Sequence, residues 1–587
     1  MISWTKTDAL ILTLLTLMGA CIFLTGITWG LPSHAADHYL FGDHPIWTGK
    51  QILEFAPQPP PDDNRGADVD ANPITDRTHP ILLNETDAQR AEIVRRYRLF
   101  SYQPDEMITF KSLAGMHPAR ADLDPHLYQY GGLWIYPVGA LLKLSSLFHL
   151  ITLHPDPAFY LDNPEQFARF YIVARAYSTA WGLLGISIIY YITRHLTATR
   201  LGAATAAFCY AWMPAVINAA HEAKPHLAGA ILMLLTAGAA ARYVTTGRRR
   251  CAIAAGGFAG ASLGMILSGL WAFALLPLMI FLRPPPNRLR HFIFAISAGI
   301  GVYVLSNPYV PYNAFFHPAR LTSNLHNSTA MYAVHSTGSA FLNALTLISE
   351  GTSLPLAILG AIGLLILLIL RMLKKESPKN PLALFLFVLS AIVLLQFILL
   401  ASGKPGEYGR FALLPDITIA IAAVITLTHF RWEIGPILRS LLLIALALSV
   451  IPFGIEYIYA FYRDTSLVTS RLEAAFELDS FPGAIGLKDE PAPYLMPPVN
   501  LFERNLVLLP TTLPPGIQVD FTLQPLDDPT QIPRNSLLVP THWNSGTLWR
   551  PATRLSWANK RFQLIPLRGF LSTLPPTQTT LAASNPP

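Results

Sequence analysis

Residues 356–370 read LAILGAIGLLILLIL, a run without one polar side chain. With its flanks it covers 353–372, about 20 residues, enough to cross about 30 Å of hydrocarbon at about 1.5 Å per residue. A surface helix of a water-soluble protein keeps a polar face; this one keeps none. Working outward, similar blocks recur at 8–30, 169–193, 201–219, 225–244, 252–267, 269–283, 291–311, 381–401, 411–429 and 437–460. The reading is an all-α polytopic membrane protein with about 11 transmembrane helices. Blocks five and six are the shortest, and Gly256, Gly257, Gly260, Gly264 and Gly269 there allow close helix packing.

Composition agrees. The chain has 587 residues, of which 52% are hydrophobic and only 13% charged, about half the charge of a soluble domain. The net charge of +6 sits at the ends of apolar blocks, which excludes a nucleic-acid surface and matches the cytoplasmic-loop bias of membrane proteins. Arg194, Arg200, Arg242, Arg248, Arg249, Arg250, Arg283, Arg288, Arg290, Arg371, Lys374, Lys375, Lys379, Arg431 and Arg439 all fall on one side if the N-terminus with Lys6 is cytoplasmic. An odd number of spans then places the tail outside. Ser33-His34-Ala35 offers the alternative of a cleaved signal peptide for the first block. The three cysteines show neither a disulfide framework nor zinc spacing.

Two domains are expected: 1–460, a transmembrane domain that includes an extracytoplasmic loop 31–168, and 461–587, a small mixed α/β domain with β-like runs at 506–509 and 536–539. Within the loop, Pro59-Pro60-Pro61-Asp62-Asp63 reads as flexible and 85–100 as a charged helix. Residues 126–150, of intermediate hydrophobicity with Pro137 and Lys143, read as a helix lying at the membrane surface. As a span they would reverse every later orientation. Asn84-Glu85-Thr86 and Asn327-Ser328-Thr329 match the glycosylation sequon, a pattern short enough to arise by chance.

Polar clusters gather at span ends on the outer side. Tyr102-Gln103-Pro104-Asp105-Glu106-Met107 holds adjacent carboxylates. Their repulsion raises one pKa and suits a general base; the plain alternative is an acidic turn that starts a helix. His221-Glu222-Ala223-Lys224-Pro225-His226 crowds ionisable groups beside the bilayer, where they are costly and tend to be functional; the alternative is a hydrated turn. Lys404-Pro405-Gly406-Glu407-Tyr408-Gly409-Arg410 ends on an arginine that opens an apolar run, fit to bind a phosphate or to snorkel. Asn307-Pro308-Tyr309 is either a helix stop or a fourth outer feature. Arg320, His326 and His335 in the loop that follows read as surface residues. No cofactor is expected; a divalent cation held by Asp105, His221 and Glu222 is the open alternative. Phosphate-loop, dinucleotide and zinc-protease motifs are missing.

These motifs, in this order, resemble those of the GT-C glycosyltransferases, which include protein O-mannosyltransferases and the lipid A aminoarabinose transferase. Gly30-Leu31-Pro32 looks like the family's Gly-Leu-Pro, Pro104-Asp105-Glu106 like its Pro-Asp-Glu, and Ala174-Arg175-Ala176-Tyr177-Ser178 like its Ala-Arg-x-x-Ser. His221–His226, Asn307-Pro308-Tyr309 and Arg410-Phe411-Ala412-Leu413-Leu414-Pro415 follow suit. The likeness covers about residues 1–460. Gln103 and Met107 depart from the usual His and Pro, and about 65 residues separate Gly-Leu-Pro from Pro-Asp-Glu where the family has few. The resemblance implies a glycosyltransferase that takes a sugar from a polyprenyl-phosphate donor to a glycan, lipid or protein acceptor at the outer face of an inner membrane. Asp105 is implied as base, with Glu106 beside it. His221, Glu222, Lys224, Tyr408, Arg410 and Asn307 are implied in substrate binding. Rival readings are a transporter, expected to show ionisable groups at mid-membrane and broken helices, and a non-catalytic scaffold.

Overall fold

The computed structural model describes residues 4–56, 81–283, 287–322, 324, 337–373, 381–401, 406–429, 435–465, 469–479, 483–488, 490–509, 519–526, 537–538 and 555–566. Pro59 to Asp63, His326, the sequon at Asn327, His335 and Lys404 lie outside them. The chain divides into two compact units. One comprises Met1–Thr25, Thr109–Leu141 and Ala174–Ile458; the other comprises Gly26–Ile108, Leu142–Val173 and Tyr459–Pro587. The first loop is itself split between the units. Most of it belongs with the tail rather than with the transmembrane domain.

The first unit is helical. Among the described residues, the helices Lys6–Leu24, Pro164–Thr197, His226–Thr246, Arg288–Ser306, Pro381–Leu399, Tyr408–Thr428 and Pro436–Arg463 are long and apolar enough to cross a membrane. Two bent pairs bring the number to nine: Arg200–Trp212 with Pro214–Ala220, at 59°, and Ala340–Thr352 with Leu354–Leu365, at 114°. The first bend follows from Pro214, whose missing N–H begins a new helix. The fifth and sixth expected spans are shorter. Arg249–Met265 stops at an extended Ile266, and the chain then runs through a 3₁₀ segment into Leu275–Leu282. Small residues set this packing: a Cβ at Gly256 or Gly260 would land on the carbonyl oxygens of Ala295 and Gly299, so the backbones touch directly. Gly132–Leu147, with Pro137 inside, is a 16-residue helix, too short to span.

Some of the counted arginines are not bare loop charges. Arg194 and Arg200 lie 3.5 and 3.3 Å from the buried carboxylate of Asp8, which Tyr190 also reaches at 2.9 Å. A capping box with Thr5 holds that aspartate at the start of the first helix.

The second unit is built on a six-stranded sheet. Its strands are β1 (Ile81–Leu82), β2 (Ile485–Leu487), β3 (Leu506–Leu508), β4 (Phe521–Leu526), β5 (Leu537–Leu538) and β6 (Arg561–Pro566), in the order β1-β3-β2-β4-β6-β5. β2 pairs in parallel with β3 and β4; the other pairs are antiparallel. The expected runs at 506–509 and 536–539 are β3 and β5. β1 comes from the first loop, so loop and tail share one sheet and one core, which contains Phe41, Trp47, Tyr97, Leu487, Leu506 and Phe562. The expected charged helix is Asp87–Leu99, capped by Thr86.

Asn84 locks the shared sheet. Its Nδ2 donates to the Leu501 and Arg504 carbonyls at 2.7 and 2.6 Å, and its Oδ1 accepts from Leu506 N at 3.0 Å. The residue is 4% exposed, so the first sequon is a structural device. Asn84→Ala removes three hydrogen bonds to backbone groups, of which Leu501 O keeps Arg90 Nε at 3.2 Å, and should lower the unit's stability by about 2 kcal/mol or more. Thermal melting of the purified protein checks this; an unchanged melting temperature contradicts it.

Candidate active site

In the second unit, the long insertion between Gly-Leu-Pro and Pro-Asp-Glu loops out and returns to its starting point. Tyr102 N donates to Gly30 O at 2.8 Å, and Gly30 N donates to Asp464 O at 2.9 Å. Gly30 has φ +55, and a Cβ there would press on the Tyr102 side chain at 2.6 Å, so the close approach requires glycine. The inserted segment is anchored by Arg98, which grips Asp37 with two nitrogens at 3.1 and 3.0 Å. Both are buried, and Arg98 also donates to Leu161 O at 2.7 Å.

The two departures from the motif are accommodated. The Gln103 side chain is buried, and its Oε1 accepts from Asp105 N at 2.6 Å, bracing the turn. Met107 Sδ receives the Tyr171 hydroxyl at 3.4 Å. The carboxylates differ in environment. Glu106 is 0% exposed and takes the Ser101 hydroxyl at 2.6 Å, while Asp105 is half-buried. Of the two, Asp105 is the more exposed, and Glu106 is tied into the turn by the Ser101 hydroxyl. Glu106 also opens the helix Glu106–Ala114, where a carboxylate is stabilised by the exposed N–H groups of the first turn.

In the first unit, the turn 221–225 is buried throughout. The ring nitrogens of His221 each face a backbone carbonyl at 2.8 Å, Ile217 O and Thr25 O. Burial lowers its pKa to about 4, against the pull of both carbonyls and with help from Arg175. His221 therefore fastens the turn to the end of the first helix. Glu222 and Lys224 form a buried ion pair at 3.5 Å, with Asn218 Nδ2 on Glu222 at 3.3 Å. Ser178 donates to the carbonyl of Glu222 at 2.7 Å and Thr179 to that of Ala220 at 3.1 Å. These hydroxyls give the Ala174–Ser178 segment a physical task.

The Arg410 guanidinium lies 5.0 Å from the Tyr408 ring centroid and 5.2 Å from that of Phe411. Phe411 in turn meets the edge of His226, 5.2 Å away, and His226 meets Tyr130. These cation–π contacts hold the guanidinium against two aromatic faces. Asn307 sits elsewhere in the packing scheme. Its Oδ1 accepts from Gly132 N at 2.7 Å, and its Nδ2 bonds Ser306 Oγ at 2.9 Å. It caps the start of the helix Gly132–Leu147.

Sequence reasoning passed over Asp124. This buried carboxylate accepts from the Tyr128 hydroxyl at 2.9 Å and from Asn313 Nδ2 at 2.7 Å, with Arg320 at 3.6 Å. Arg320, read as a surface residue, is therefore engaged with it. The signal lay in Asp122-Leu123-Asp124-Pro125, an acidic turn just before the aromatic run. Among the described residues, no three His, Cys, Asp or Glu side chains gather into a metal site.

No family model matches the chain, and no curated protein matches it. Solved structures do. ArnT from Cupriavidus metallidurans, bound to undecaprenyl phosphate, is similar at 13% identity and TM-score 0.42, over 69% of this chain and 82% of that one. Archaeal oligosaccharyltransferase AglB from Archaeoglobus fulgidus, in complex with an inhibitory peptide and a dolichol-phosphate, is similar at 14% identity and TM-score 0.38, over 85% of this chain and 65% of that one. Both are GT-C glycosyltransferases, the family that the sequence motifs resemble.

Proposed function

We propose that this chain is a membrane glycosyltransferase that moves a sugar from a polyprenyl-phosphate donor to a hydroxyl on an extracytoplasmic glycan, lipid or protein. The observation that carries the reading is the Gly30–Tyr102 junction. It brings the Pro-Asp-Glu turn back beside the Gly-Leu-Pro segment despite the inserted residues, with Asp105 half-buried. Asp105 takes the proton of the acceptor hydroxyl. The oxygen attacks the anomeric carbon from the face opposite the phosphate, the bond from that carbon to the phosphate oxygen breaks, and the configuration inverts. Lys224 and Arg410 stabilise the charge on the departing lipid phosphate. Glu106, Glu222 and His221 hold the two turns, and Tyr408 steadies Arg410. Asn307 supports the donor side through the helix it caps. The reading places the N-terminus in the cytoplasm of an inner-membrane protein crossed about eleven times, with the sheet-bearing unit outside. Purified protein should release polyprenyl phosphate from a radiolabelled polyprenyl-phosphate hexose; retention of label on the lipid in the presence of native membranes overturns the proposal.

A transporter reading draws on two observations. One is the pair of bent helices. The other is Asp416, 1% exposed, whose carboxylate oxygens have no hydrogen-bond partner among the described residues. Asp416 packs against Gly351, where a Cβ would lie 2.9 Å from its Oδ2, just before the bend at Ser353. Transport predicts such a group at mid-span, yet Asp416 lies on the first turn of its helix Leu413–His429. Asp416→Asn should therefore raise stability by about 1 kcal/mol, because folding no longer takes a water-ionised carboxyl group into an apolar site, and leave sugar transfer unchanged. Melting curves and transfer rates check this. Loss of solute flux into proteoliposomes in that variant would favour transport.

A further inference from the structure

The second unit contains a cavity of about 340 Å³, within the size range of small-ligand sites. Its wall includes Leu31 and Pro32 of the Gly-Leu-Pro segment and Tyr102, three residues before Asp105. Its lining is mostly apolar, with Tyr97, Phe100 and Tyr102 as its aromatic residues, one face of Tyr102 being covered by the Arg471 guanidinium 4.4 Å from its centroid.

Its charges come in balanced sets. Glu165 and Arg169 are exposed, one helical turn apart on Pro164–Thr197. Asp464 and Arg471 are buried and paired at 3.4 Å. Arg471 also donates to Trp557 O at 2.7 Å and to Ser470 Oγ at 3.1 Å, so its guanidinium is committed to the protein. Neither set leaves a net charge to attract a phosphate or an ammonium group. What remains for a ligand is aromatic and apolar surface with hydroxyls, among them the Tyr102–Thr469 pair at 2.6 Å. Among the described residues, that pair retains one hydroxyl hydrogen to donate and lone pairs to accept. Aromatic faces with neutral hydroxyls suit a neutral sugar, whose C–H face is apolar and whose rim is not.

We infer that this cavity binds a neutral mono- or disaccharide unit. Resting on the transferase reading above, that unit is part of the acceptor glycan. A ligand in the cavity lies against Tyr102, whose backbone is pinned to Gly30, and is thus held close along the chain to Asp105.

The test uses the full chain in sugar-free detergent micelles and saturation-transfer NMR. The probes are maltose, cellobiose and chitobiose, with glucose 6-phosphate and choline as charged controls. At least one neutral disaccharide should bind saturably and the charged controls should not. Ala35→Trp, which fills the cavity beside Leu31, should weaken that binding at least tenfold without changing the melting temperature. If that variant melts early, Glu165→Trp blocks the same cavity from an exposed position. The inference is overturned if no neutral sugar binds, if binding survives both fillings, or if the phosphorylated sugar binds best. The same samples are assayed for polyprenyl phosphate release with water as acceptor. Turnover without sugar binding removes the cavity proposal and leaves the transferase. Sugar binding lost on filling, without turnover, leaves a sugar-binding cavity and removes the transferase.

Discussion

Asp105→Asn should lower sugar transfer by about 100- to 10,000-fold, the usual contribution of a positioned general base, while melting temperature and expression stay near wild type. The expectation follows from the different environments of the two carboxylates. Asp105 is half-buried, and its backbone N–H, not its carboxylate, is what Gln103 braces at 2.6 Å. An amide side chain keeps the shape and removes the basicity. Glu106→Gln should behave differently. That carboxylate is buried and takes the Ser101 hydroxyl at 2.6 Å, a bond an amide oxygen can replace, so a smaller loss is expected. Initial rates over a pH series separate the two cases. The base-limited acid limb should vanish in Asp105→Asn and persist in Glu106→Gln. Full activity in Asp105→Asn removes its assignment as base.

The second large effect concerns Glu222 and Lys224. Lys224→Met removes the ammonium 3.5 Å from a buried carboxylate, and breaking a buried pair from one side costs about 3–5 kcal/mol. That variant alone would confuse misfolding with lost chemistry. The double variant Glu222→Gln, Lys224→Met removes both charges together. It should fold with near-wild-type stability, since neutralising a whole buried pair is often harmless. Transfer should still fall by about 100- to 1,000-fold, the usual loss when one charge-stabilising donor is removed. Melting temperature and rate, measured on the same preparation, decide it. A double variant that transfers at the wild-type rate makes the pair a purely structural feature of the turn.

Much of the membrane architecture is legible in the sequence because long apolar blocks carry their own signal, as at 356–370. The weak point is also legible. The block pair 252–283 was short on paper, and in the structure it breaks at Ile266 and passes through a 3₁₀ segment. What the sequence hides is long-range pairing. Nothing in Ile81-Leu82 announces a strand. It becomes one by pairing with Leu506–Leu508, beside Asn84, which bonds to Leu501, Arg504 and Leu506 more than 400 residues away. The same blindness made the insertion before Pro104 look like a disruption of the motif. A bond from Tyr102 to Gly30 cannot be read from spacing. Asp105, Glu222 and Lys224 are proposed for the site because ionisable groups at span ends are conspicuous in a sequence. His221 and Asn307 were conspicuous for another reason, since polar groups at helix ends also serve as fasteners. Asp124 escaped because its partners Tyr128, Asn313 and Arg320 are spread over almost 200 positions.

The central claim is that Asp105 drives inverting transfer from a lipid phosphate. Its most direct test is the anomeric configuration of the product, read by NMR after purified protein acts on a polyprenyl-phosphate hexose of known configuration. The account predicts a product of opposite configuration, formed by wild type and lost in Asp105→Asn. A product of retained configuration, or equal product from Asp105→Asn, contradicts it.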